Sequence, residues 1–90
     1  MLRAKSLKLK ALKSDYDRAK ECHVWMVRRT SRRVIGVIGS SEPHVCWLDS
    51  SGTYFCSCPR FQYILYVCSH LVVLAELFAG RKVEVIESEY

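Results

Sequence analysis

Between residues 56 and 70 the chain sets three of its five cysteines and one histidine in two close pairs, Cys56-x-Cys58 and Cys68-x-His70, with residues 59–67 between them. Zn²⁺ takes four ligands in a tetrahedron, and thiolates and imidazoles are its commonest protein sources. Cys56, Cys58, Cys68 and His70 therefore make one closed shell. No position is left for an activated water, so one structural zinc ion is expected rather than a catalytic one. Three thiolates and one Zn²⁺ leave a local charge of about −1, which the positive end of a following helix stabilises by about 0.3–1 kcal/mol. Other uses of these residues are weaker. Buried cysteines often serve as small hydrophobes. A Cys56–Cys58 disulfide is strained, and an odd cysteine count does not read as a disulfide framework. A thiol redox sensor, in which Cys56 and Cys58 oxidise and release zinc, is the strongest rival.

The spacing of the ligands constrains the elements that carry them. Residues two apart on a strand project to the same side, so a hairpin end can deliver Cys56 and Cys58 together. Residues two apart inside a helix do not share a face, so Cys68 and His70 chelate together only where a helix begins between or beside them. The sequence meets both demands. "HVCWLD" at 44–49 and "TYFCSC" at 53–58 are strand-like runs joined by "SSG" at 50–52, a hairpin closure whose glycine takes the left-handed conformation. Pro59 ends the second strand. "SHLVVLAELFAG" at 69–80 reads as a helix with Leu71, Leu74, Ala75 and Phe78 on one face, Gly80 as C-cap, and Arg81 and Lys82 at its negative end.

The rest of the chain completes an α+β domain. Residues 1–22 read as a basic amphipathic helix, with Leu9, Leu12, Tyr16 and Ala19 as its apolar stripe; "SDYD" at 14–17 is a candidate break, with Ser14 capping the second piece. "HVWMVRR" at 23–29 and "RRVIGVIG" at 32–39 are further strands. "KVEVIE" at 82–87 alternates like a short edge strand before an acidic tail, so residues 82–90 hold a strand and a loose end. The expected architecture is a single zinc-stabilised domain over 1–90: N-terminal helix, antiparallel sheet, then C-terminal helix, with a ββα-type core.

Cys-x-Cys, a variable insert and Cys-x-His, on a hairpin followed by a helix, resemble the SWIM zinc finger over residues 32–79. The family's four metal positions fall on Cys56, Cys58, Cys68 and His70. Members of that family use the finger to bind DNA or protein and perform no chemistry with it. Ninety residues hold no ATPase or transposase domain beside the finger, so the chain is most similar to small stand-alone members that pair with RecA-like recombinase paralogues. The resemblance implies a role in DNA repair or recombination with such an ATPase as partner and DNA as an accessory contact. A free-standing DNA-binding regulator is the alternative.

Composition agrees with a binding role. Half of the residues are hydrophobic, and a chain of this length buries only about 60–65% of its unfolded surface, which favours a metal staple and a protein partner. Charge is uneven: residues 1–33 hold eleven Lys and Arg against three acids, a net of +8, and residues 34–90 hold three against six, a net of −3. Arg28, Arg29, Arg32 and Arg33 ring a strand turn, where they either grip phosphates or keep an edge soluble. In the insert, Phe61, Tyr63, Ile64, Leu65, Tyr66 and Val67 form an apolar run that either folds back as core or anchors a partner; partner contact is the reading favoured here. Cys22 with His23, and His44 with Cys46, share no spacing that builds a second metal site. No catalytic constellation is spaced for chemistry, so no enzyme and no small-molecule substrate are expected. Phe61 to Ala79 approaches a membrane span in length, but Gln62, Ser69, His70 and Glu76 are costly in lipid. With lysines and an arginine interrupting every early apolar run, no signal peptide is read and an intracellular location is expected.

Overall fold

The chain runs β1 (Lys10–Leu12), α1 (Lys13–Arg18), a 3₁₀ turn (Ala19–Glu21), β2 (His23–Arg29), β3 (Arg33–Gly39), β4 (His44–Asp49), β5 (Tyr54–Cys56), α2 (Pro59–Tyr63), α3 (Ser69–Val73) continuing as a wider π-helical turn (Leu74–Phe78), and β6 (Glu84–Ile86). These elements come from a computed structural model that describes residues 9–64 and 66–87. The β-branched and aromatic middle of the sequence forms one antiparallel sheet in the order β2-β3-β4-β5. A second sheet of two strands pairs β1 with β6 in parallel, Lys10 opposite Glu84 and Leu12 opposite Ile86.

Period-two alternation decides which side of the large sheet is covered. On one face Ile38, Cys46, Leu48, Tyr54 and Cys56 are buried. The helix begun at Ser69 lies over that face, and α1 packs on the helix from the other side. Being enclosed from two sides explains why Leu71, Val72, Val73, Leu74 and Ala75 are all buried, where helical periodicity alone predicts one apolar stripe. The opposite face carries Ile35, Val37, Val45 and Trp47 without a covering element among the described residues. Both glycine turns form as expected, Gly52 at φ 97° and Gly80 at φ 63°. Gly39, where β3 ends, has a different reason: a Cβ there would sit 1.8 Å from the Glu42 carbonyl oxygen, so the turn into β4 excludes any side chain.

The amino-terminal helix is a correction. Residues 10–12 are a strand, not helix, because Leu9 and Ala11 are buried and the backbone of this stretch is bonded on both sides: Glu84 N–H donates to the Leu9 carbonyl at 2.9 Å and Val67 N–H to the Lys10 carbonyl at 2.8 Å. Helix propensity yields to those pairings. The helix that follows begins at Lys13 with Leu12 at its N-cap, so Ser14 caps nothing. Residues 1–8 of the expected helix, and residues 88–90 of the expected acidic tail, lie outside the described residues.

Glu76 shows why the apolar stretch before Ala79 carries a carboxylate. It accepts from the Tyr16 hydroxyl at 3.0 Å and from the Val83 backbone N–H at 3.1 Å, joining α1, the long helix and the approach to β6. Among the described residues no helix is long and apolar enough to cross a membrane. Replacing Glu76 by Ala removes two acceptors at once and should lower unfolding stability by about 2–4 kcal/mol, read as a shift in the urea midpoint at unchanged m. An unchanged midpoint would mean that the clamp contributes nothing.

Candidate metal centre

The hairpin and two short helices bring the four predicted ligands to one point. Cys56 is the last residue of β5, Cys58 is the N-cap of α2, Cys68 is the N-cap of α3, and His70 lies in the first turn of α3. The helix boundary therefore falls beside Cys68, as the Cys-x-His spacing requires. The strand, however, stops at Cys56. Pro59 occupies the first turn of α2, where its missing N–H costs nothing, and the chain turns between the two thiols.

The ligand atoms of Cys56, Cys58, Cys68 and His70 all lie within 4.8 Å of one another, and no other group of His, Cys, Asp or Glu among the described residues clusters in this way. His70 Nδ1 is 3.5 Å from the Cys56 sulfur and 3.7 Å from the Cys68 sulfur. A tetrahedral zinc with ordinary bond lengths sets sulfur and nitrogen about 3.6 Å apart and two sulfurs about 3.8 Å apart. The observed separations fit that ion with only a small inward movement of the side chains. The three cysteines are buried and His70 is partly so, which suits a closed, structural site.

As thiols the three cysteines compete for charge. Hydrogen bonds from Cys56 and Cys68 hold Cys58 far below the ordinary thiol range, with a further bond from the Phe61 N–H. Cys56 is pushed far up by its hydrogen bonds with Cys46 and Cys58, and Cys68 by burial and then by the same two neighbours, Cys56 and Cys58. Only one thiolate is easily carried by such a cluster alone; a divalent cation makes all three favourable. The surroundings also supply a cation. Arg60 forms a two-pronged pair with Asp15, Nε to Oδ1 at 2.7 Å and a terminal nitrogen to Oδ2 at 2.9 Å, and its positive charge is attracted by Cys68 and Cys58. The His44 ring lies against the His70 ring, with centroids 4.9 Å apart.

The remaining candidates separate. Cys22 and Cys46 point their thiols at backbone carbonyls, of Arg18 and Gly36 respectively, and are not among the four ligands, although Cys46 lies against Cys56. Of the four arginines near the strand turn, Arg28 pairs opposite Ile35 on the uncovered face, while Arg29 donates to the Phe78 carbonyl. Arg33 bonds Asp49 at 3.3 Å and lies 3.9 Å over the Trp47 ring, and Arg32 is exposed on the turn itself.

The apolar insert is a second correction. Phe61 and Val67 are buried: Phe61 packs edge-on against Tyr54 and Phe55, and Val67 lies where its N–H bonds β1. Both are removed from partner contact because the short helix opened by Pro59 turns the run back under the hairpin. Ile64 and Tyr66 are partly buried, Tyr63 is 83% exposed, and Leu65 lies outside the described residues. Sequence reasoning missed both Asp15, buried at 1% exposure, and the β2 edge, where Val24, Trp25 and Met26 are exposed. The signal for β2 was present in "HVWM", whose apolar residues do not alternate.

Four converging soft ligands on a hairpin and a helix start define a small protein built around a structural Cys₃His zinc finger. The SWIM zinc finger family model matches residues 44–78, from the first residue of β4 to the last of the π-helical turn, and includes all four ligands. Residues 44–78 are thus similar to the SWIM zinc finger with its metal set complete, over a shorter span than the expected 32–79. A search of curated proteins and a search of solved structures each find no match.

Proposed function

We propose that the chain is a binding module in which zinc holds the shape and a protein partner is docked, with no chemistry of its own. The observation that carries this reading is apolar surface left open on the uncovered face and at the β2 edge: Met26 and Val45 are 45% and 47% exposed on that face, and Val24 and Trp25 are 40% and 51% exposed at the edge. Met26 and Val45 both lie opposite Val37 on the face with no covering element among the described residues, and β2 is an edge strand of the sheet with a bulge at Trp25. Contiguous exposed apolar residues on a small domain suit a protein interface. The SWIM match is compatible with protein or DNA as the partner. Within that range, a RecA-like ATPase paralogue acting in DNA repair or recombination is the partner put forward, and nucleic acid is the accessory contact.

Affinity capture of the zinc-loaded chain from its source should recover a RecA-like ATPase, and the Trp25→Glu, Met26→Glu double variant should lose it at full zinc content. Recovery of no such ATPase, or undiminished recovery by the variant, overturns the reading.

A further inference from the structure

The β2–β3 turn and the chain after Gly80 meet across a groove of about 370 Å³ lined by Arg29, Arg32, Arg33 and Arg81, together with Thr30 and Ser50. Arg81 is distant in sequence from the other three, so the composition of residues 28–33 gives no hint of it. We propose that this groove is a phosphodiester-binding site that seats the backbone of a nucleic acid strand.

The turn is built to hold its arginines in place. Thr30 Oγ1 accepts from the backbone N–H groups of Arg32 at 3.3 Å and Arg33 at 3.0 Å, Thr30 N–H donates to the Arg33 carbonyl at 2.8 Å, and Ser50 N–H donates to the Arg32 carbonyl at 2.7 Å. Ordering of this kind lowers the entropy lost when a ligand is gripped. Two of the cations are partly engaged, Arg29 on the Phe78 carbonyl and Arg33 on Asp49. Arg32 and Arg81 complete a lining of four arginines against one acid, Asp49. Arginine presents paired donors that match two phosphate oxygens, and an excess of three positive charges suits a repeated anion better than a single carboxylate. Residues 9–33 hold eight Lys and Arg against three acids, a net of +5, and add to the same field. Arg28 does not line the groove.

The inference deepens the accessory nucleic-acid contact and uses none of the apolar residues of the protein interface. Its test is fluorescence anisotropy of the zinc-loaded chain with a labelled 20-base strand and with the corresponding duplex. Arg81→Ala and Arg32→Ala, whose side chains make no hydrogen bond or ion pair among the described residues, should each weaken binding about tenfold and reduce the slope of log K against log salt by about 1. Asp49→Asn should strengthen it severalfold, while Arg28→Ala and Trp25→Glu should leave it unchanged. Absence of salt-sensitive binding to either probe, an effect of Arg28→Ala equal to that of Arg81→Ala, or equal displacement by a poly-glutamate peptide overturns the groove as a phosphodiester site. A lost partner with intact nucleic-acid binding in Trp25→Glu, Met26→Glu supports the two surfaces as independent.

Discussion

Removing the zinc should unfold the domain as a whole instead of loosening one loop. The ligands come from β5, from the N-cap of α2 and from the N-cap and first turn of α3, so the ion joins the sheet to both later helices and to the packing they make. Structural zinc in small domains supplies about 10–16 kcal/mol at neutral pH, while a domain of this size holds only about 5–15 kcal/mol of net stability. Chelation should therefore collapse the thermal transition, and Cys68→Ser or His70→Ala should abolish stoichiometric zinc in native mass spectra. Cys46→Ser, which alters a buried thiol outside the ligand set, should keep one zinc per chain. Thiolates and neutral imidazole are the binding forms, so protons compete with the ion and the stabilisation falls as pH is lowered. A melting temperature indifferent to chelator would refute the structural role.

The second large effect is expected at Arg60, and it should be asymmetric. Asp15 is 1% exposed and Arg60 42% exposed on its side chain, so the two partners do not suffer equally when left alone. Arg60→Ala strands a carboxylate in the core and should cost about 3–5 kcal/mol. Asp15→Ala leaves a guanidinium that still reaches water, and should cost less, about 1–3 kcal/mol. The double variant should recover part of the Arg60→Ala loss. Denaturant titrations of the three variants form the cycle, and equal losses for the two single variants would show that burial of Asp15 is not what makes the pair matter.

The metal centre was legible because chelation is a local matter: a Cys-x-Cys on a hairpin and a Cys-x-His at a helix start have few geometries open to them. The strands from 23 to 56 and both glycine turns were legible for the same reason. What sequence did not reveal depends on distant partners. Asp15 and Asp17 sit two residues apart in "SDYD", yet one is buried against Arg60 and the other exposed against Lys13 at 3.0 Å. Nothing local distinguishes them. Lys10–Leu12 is composed of helix formers and becomes a strand only because Glu84–Ile86 pairs with it. Phe61 reads as surface or core until α2 fixes its direction, and Arg81 joins the arginine turn only through the fold.

The parallel pairing of β1 with β6 has a bearing on the order of folding. Its two strands are separated by almost the whole chain, so the loop to be closed is long and the pairing contributes high contact order. The finger at 44–78 needs only nearby contacts and an ion. It should acquire protection from hydrogen exchange first, with the amides of residues 10–12 protected last, after the C-terminal strand is available. Pulse labelling during zinc-triggered refolding would show this sequence, and simultaneous protection of both regions would contradict it. The small sheet is then a latch that closes over a preformed finger, making the arrival of residues 84–86 a condition for its final shape.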